Sequence, residues 1–83
     1  MQPSMDSQAD TKLQEIFRAV FNLAPSADVT AIRQVSEARW DSLAHVSLVA
    51  ALESEFQLRI DIAEALRLTS YKAAELLLRE KGI

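Results

Sequence analysis

Trp40-Asp41-Ser42-Leu43-Ala44-His45-Val46-Ser47-Leu48-Val49-Ala50-Ala51-Leu52-Glu53-Ser54-Glu55-Phe56 is the stretch on which the fold turns. Leu43, Val46, Val49, Leu52 and Phe56 recur at spacings of three and four, the period of a helix that buries one face. Leu48 and Ala50 widen that stripe. Asp41 or Ser42 stands at its start, and either side-chain oxygen suits the unpaired N–H groups of a first helical turn. The spacing predicts a helix over 42–56.

Upstream, Leu13, Ile16, Phe17, Val20 and Phe21 form a second stripe of the same period and predict a helix over 12–21. Asp10 or Thr11 suits its N-cap, and Asn22 and Pro25 end it. Residues 1–9 are polar, contain Pro3 and show no period, so they read as a flexible N-terminal tail ahead of a single domain over 10–83. Residues 22–40 form a long connection with turn residues Pro25, Ser26 and Asp28. Val29, Ile32 and Val35 are spaced three apart, enough for a helical turn or for apolar plugs that hold this loop on the helices. Downstream, Asp61 suits the cap of a short helix over 62–66, and Thr69-Ser70 that of a last helix over 71–80. Tyr71, Ala74, Leu77 and Leu78 face inward there, with Lys81 and Gly82 as its C-terminal signals. The expected fold is all-α: a four-helix bundle with three longer helices, one short helix and a long first loop.

Composition agrees and narrows the chemistry. The chain has 83 residues, 49% hydrophobic and 25% charged, which suits one globular domain. One Gly and two Pro are too few for a small all-β fold with a tight turn every few residues. Without Cys there is no disulfide, no Cys-bearing zinc site and no thiol nucleophile. His45 is the single histidine, which excludes a multi-histidine metal site. The net charge of −3 argues against a general nucleic-acid binder. No apolar run approaches the roughly 20 residues of a membrane span. The opening residues Met1 to Asp6 lack a basic, then apolar, signal segment, so a cytoplasmic location is expected.

Charge is unevenly distributed. Residues 41–64 hold Asp41, Glu53, Glu55, Asp61 and Glu64 against Arg59, a net −4. Residues 65–83 hold Arg67, Lys72, Arg79 and Lys81 against Glu75 and Glu80, a net +2. Such a run is either a plain solvated face or a docking surface for basic partners.

The Trp40–Phe56 stretch resembles the modification site and second helix of the acyl carrier protein family. Asp41-Ser42-Leu43 matches its Asp-Ser-Leu motif, and Leu52-Glu53-Ser54-Glu55-Phe56 its Leu-Glu-x-Glu-Phe helix ending. Ile60-Asp61 and Thr69-Ser70-Tyr71 fall where that family starts its third and fourth helices. Asp-Ser-Leu alone is a weak signal; its spacing to the helix ending and the four-helix layout make the match specific over nearly everything after residue 10. The resemblance implies a discrete, non-catalytic carrier, monomeric, serving fatty acid, polyketide or related specialised biosynthesis. Ser42 would receive a 4′-phosphopantetheine arm from coenzyme A through a phosphopantetheinyl transferase. The arm's thiol would hold acyl groups as thioesters, giving a protein without Cys a thiol to work with. Asp41 and Leu43 flank the attachment point, Asp41 as a transferase contact and Leu43 as core or transferase contact. Acyl-loading and acyl-processing enzymes with basic patches would dock on Asp41, Val46, Glu53 and Glu55.

The chain departs from the family pattern in places. Arg39 stands where the family has Gly, and Trp40 precedes the Asp as in less typical discrete carriers. Trp40 is expected as a packed lid on the bundle. Ala44 and Ser47 replace acidic residues found in many carriers of fatty acid synthesis, so the partner face is less negative. His45 is expected as a half-exposed helix residue. Small Ala50, Ala51 and Ala65 either leave room between helices or serve as good helix formers.

Other readings remain open at this point. An aminoacyl or peptidyl carrier would use the same cofactor, although the Gly-Gly such carriers often show before the serine is missing. A four-helix interaction module would never be modified. A small hydrolase would pair Ser42 with His45, three residues apart on one helix, but no acid to orient the histidine is evident.

Overall fold

A computed structural model describes residues 7–83. The elements run α1 (Ser7–Val20), a 3-10 turn (Gln34–Ser36), α2 (Ser42–Phe56), α3 (Ile62–Leu66) and α4 (Tyr71–Glu80). The described chain is all-helical, without a strand; an isolated bridge joins Arg33 to Ser70. No described helix is long and apolar enough to cross a membrane.

Helix α1 starts earlier than its stripe predicts. Residues 7–9, assigned above to the tail, are helical, and Ala9 is buried. Ala9 lies one turn before Leu13 and extends the stripe, but a lone Ala among polar residues shows no period. Residues 1–6 of the expected tail lie outside the described residues. Asp10 and Thr11 therefore sit inside the helix rather than at its cap. Asp10 instead accepts from the Tyr71 hydroxyl at 2.7 Å, joining the start of α1 to the start of α4. From Asp10 a polar ladder climbs α1 at four-residue steps. Gln14 donates to Asp10, Arg18 donates to Gln14, and Arg18 Nε donates to the Ala27 carbonyl in the loop. Asn22 ends the helix in the left-handed region, at φ 54°.

The core is centred on Phe17, which meets Tyr71 edge-on at 5.0 Å between ring centroids and Trp40 at 5.7 Å. Phe21, Leu13, Leu48, Leu52, Leu68, Leu77 and Leu78 close around it. The long loop is pinned by Phe21 and Val29, both buried, with Ile32 packed against the core. Gln34 N–H donates to the Thr69 carbonyl and Tyr71 N–H to the Ile32 carbonyl, tying the loop to the start of α4. Val35 is the exception among the expected plugs: the 3-10 turn points it outward, and it is 84% exposed. Its three-residue spacing from Ile32 carries no facing beyond that turn, because the backbone is extended at Arg33.

The caps follow local chemistry. Asp61 and Glu64 form a reciprocal capping box on α3. Ser70, rather than Thr69, caps α4 by accepting from Ala73 N–H. Tyr71, Ala74, Leu77 and Leu78 are all buried, as their spacing predicts.

Helix α2 has the expected bounds, and its facing differs from the expected one at Leu43, Val46 and Ala50. Leu48 and Leu52 are buried, with Ala44, Val49, Ala51 and Phe56 partly so. Leu43 and Val46, expected inward, are 75% and 64% exposed, and Ala50 also faces out. Leu48, Val49, Leu52 and Phe56 face the core as their spacing predicts, while Leu43, Val46 and Ala50 do not. The helix is apolar on most sides, so its buried arc is set by packing against α1 and is rotated toward Ala44, Leu48 and Ala51.

Candidate functional site

Ser42 is exposed at the first helical position of α2, and Asp41 is the N-cap. Asp41 Oδ1 accepts from Ala44 N–H at 2.8 Å, while the Asp41 carbonyl accepts from His45 N–H. That assignment settles which of the two candidate residues caps the helix. It also leaves the Ser42 hydroxyl without a hydrogen-bond partner among the described residues. The hydroxyl stands where unpaired N–H groups and the helix dipole favour a negative charge.

Trp40 fixes where this helix begins. It is 4% exposed, wedged against Phe17 and Phe21, with its ring centroid 4.8 Å from that of Phe21. The expected lid is therefore part of the core, two residues before Ser42. Its indole Nε1–H donates to His45 Nδ1 at 3.0 Å. His45 Nε2 lies 2.8 Å from the Ala65 carbonyl on α3. The half-exposed His45 of the sequence reading is thus a bridge between three elements. Both ring nitrogens are engaged by Trp40 and Ala65 rather than by Ser42.

Beside Ser42 lies an open groove of about 300 Å³ lined by Gln34, Ser42, His45, Val46 and Leu66. Its surroundings are apolar. Leu43 and Val46 on α2, Leu66 and Ile62 on α3, and Val35 in the 3-10 turn are each at least 64% exposed. Of these, Val46 and Leu66 line the groove beside the Ser42 hydroxyl, and Leu43 follows Ser42 in the chain.

The acidic residues expected to dock partners lie at the two ends of α2. Only Asp41 is next to Ser42. Glu53 and Glu55 lie roughly 16 and 20 Å farther along α2 at 1.5 Å per residue. Glu53 Oε2 accepts from Ile60 N–H at 2.8 Å and closes the turn between α2 and α3. Glu55 faces Lys12 of α1, with 3.9 Å between the charged atoms. Leu43, weighed as core or contact, is exposed and not core. The signal that marks the apolar rim was present in the sequence: α2 carries more apolar residues than one face can bury.

Of the nearby acids, Glu64 is held below the usual glutamate range by accepting from Asp61 N–H and, next, by Lys81. No group of three or more His, Cys, Asp or Glu among the described residues could hold a metal ion. Compared with known proteins, the chain matches no family model and no curated sequence.

Proposed function

We propose that this protein is a discrete acyl carrier that bears a 4′-phosphopantetheine arm on Ser42. The observation that carries the reading is the division of labour at the start of α2. Asp41 caps the helix, and Ser42 keeps a free, exposed hydroxyl. A serine needed for the cap would lose that role on modification; this one is not needed. The residues present suit the group. A phosphodiester on Ser42 would sit at a helix N-terminus, against free N–H groups and the positive end of the dipole. When bound, the arm supplies a thiol that holds acyl groups as thioesters.

This chain's own residues position and present the serine. Trp40 anchors the backbone ahead of it, Asp41 orders the first turn, and the exposed Leu43, Val46, Ile62 and Leu66 offer an apolar face to a partner enzyme. Docking then relies on apolar contact at the Ser42 end of α2. Asp41 adds charge there, while Glu53 and Glu55 contribute a weaker, salt-screened field from the far end. The partners are a phosphopantetheinyl transferase and enzymes that load or process acyl groups.

Intact mass spectrometry after incubation with coenzyme A and a phosphopantetheinyl transferase tests the reading. The wild-type chain should gain one phosphopantetheine group and Ser42→Ala none. Seven other serines are present, so the assignment to Ser42 is sharp. Loading that survives in Ser42→Ala moves the arm to another serine. No gain in the wild type with transferases of broad specificity favours the unmodified interaction module.

A further inference from the structure

Helix α3 is attached to the rest of the molecule in an unusual way. Ile60 before it and Leu68 after it are 9% and 1% exposed, yet none of the residues between them is buried. Ile62 and Leu66 face solvent, and Ala65 alone of its apolar side chains packs partly against the core. A segment that buries so little is not held by the hydrophobic effect. Polar contacts hold it. Toward α4 these are two ion pairs, Glu64 with Lys81 at 3.0 Å and Arg67 with Glu80 at 2.9 Å. Toward α2 the side-chain bond comes from His45 to the Ala65 carbonyl, at 2.8 Å. The Glu53 bond to Ile60 N–H ties down the turn in front of the helix, outside the helix itself.

The state of His45 follows from its partners. An indole N–H can only donate. His45 Nδ1, which receives the Trp40 N–H, must present a lone pair, so Nε2 carries the ring hydrogen and donates to the Ala65 carbonyl. Both bonds together need the tautomer that carries its hydrogen on Nε2.

We propose that α3 is a gate hinged between two buried anchors, Ile60 and Leu68, and that His45 is the latch that closes it against α2. Leu66, next to Ala65, forms one wall of the groove beside Ser42, and Val46 on α2 another. Breaking the His45 bond releases the Leu66 wall on its α2 side, while the two ion pairs still tie α3 toward α4 and Trp40, Ile60 and Leu68 stay buried. The latch thus sets how wide the groove stands next to the Ser42 hydroxyl. This inference does not depend on the carrier reading, because the gate exists whether or not Ser42 is modified.

Two substitutions separate the two ends of the latch. The Asn amide sits about where Nδ1 does and retains an acceptor for Trp40, but does not reach Ala65. The Gln amide nitrogen sits about where Nε2 does and retains the donor to Ala65. Amide hydrogen exchange over residues 61–67 should quicken about fivefold in His45→Asn, the worth of one ordinary hydrogen bond. It should stay near the wild-type rate in His45→Gln. Uptake of 1-anilinonaphthalene-8-sulfonate, as an apolar probe of the groove, should rise in the Asn variant only. Emission from Trp40, the single tryptophan, should change more in the Gln variant. Equal exchange in the two variants, or faster exchange in Gln than in Asn, overturns the latch. A measurement on the unsubstituted protein stands even if a variant does not fold. ¹⁵N spectra of the His45 ring should show hydrogen on Nε2 and none on Nδ1; hydrogen on Nδ1 overturns the proposal.

Discussion

Phe17 and Leu43 are both large apolar residues on helices, and each lies close to Trp40, one in space and the other in sequence. Phe17 is fully buried and touches three aromatic rings; Leu43 is 75% exposed. The contrast extends to the two sides of the molecule. On the α1–α4 side, Leu13, Phe17, Phe21, Tyr71, Leu77 and Leu78 are all withdrawn from water. On the side formed by the start of α2 and by α3, Leu43, Val46, Ile62 and Leu66 are left in it. A small domain has little apolar area to spare for stability. Leaving four large side chains out of the core is therefore a cost the rest of the fold must offset. The core draws on α1, α4 and the inner face of α2, while the start of α2 and α3 keep their apolar side chains outside it.

The sharpest way to break this comparison is to truncate one residue from each side. Phe17→Ala should cost about 3–5 kcal/mol, enough to leave so small a domain largely unfolded in a urea titration. Leu43→Ala with Val46→Ala should shift the same titration by about 0.5 kcal/mol or less per site and, under the proposed carrier function, should lower turnover by an acyl-processing enzyme. Comparable destabilisation by both would mean that the exposed side chains contribute to the fold after all.

The next effect distinguishes the two neighbours at the α2 start. Asp41→Ala removes the cap and should cost about 1 kcal/mol, whereas Ser42→Ala should fall within about 0.5 kcal/mol. Thermal melts of the pair suffice. A larger loss from Ser42→Ala would make the serine structural and take away its freedom to be modified.

A smaller effect tests the buried side through its one phenol. Burial, and then the bond to Asp10, push the Tyr71 hydroxyl well above the ordinary tyrosine range. The folded state therefore favours neutral Tyr71 more than the unfolded chain does. The associated stability is fully present below about pH 10, where unfolded tyrosine ionises, and declines above it. Tyr71→Phe should lose about 1 kcal/mol near neutrality and flatten the alkaline decline. Denaturant midpoints between pH 8 and 11 read both, and an unchanged alkaline slope in the variant would assign the decline elsewhere.

The smallest effect belongs to α3. Glu64, kept below the usual glutamate range by Asp61 N–H and Lys81, helps stability above that range and ceases to as pH falls through it. Amide exchange over residues 61–67 should therefore loosen in mild acid before that of α1 and α4. Simultaneous loosening everywhere would show that α3 is as firmly held as the core.

Where local chemistry was enough, residues alone predicted the structure. The bounds of α2, α3 and α4 follow from Asp41, Asp61 and Ser70 at their caps, because a short oxygen-bearing side chain meets unpaired N–H groups within three residues. The inward face of α4 follows too, since its polar residues leave one apolar stripe. Ser42 was likewise legible as a candidate from its neighbours in the chain. The facing of α2 was legible in part: Leu48 and Leu52 are in the core as expected, but a helix apolar on most sides has no single stripe, and packing against α1 left Leu43 and Val46 in water. The same holds for Val35 and Ala9, whose burial depends on partners distant in sequence. His45 completes the case. Its residue type allows many roles, and only the approach of Trp40 and Ala65 in three dimensions gives both nitrogens a partner. Sequence determined that the four helices exist, the caps of α2, α3 and α4, and the serine at the head of α2, since those rest on interactions a few residues long. Tertiary packing alone decided which apolar side chains remained exposed around that serine, since burial is settled between elements and not within them.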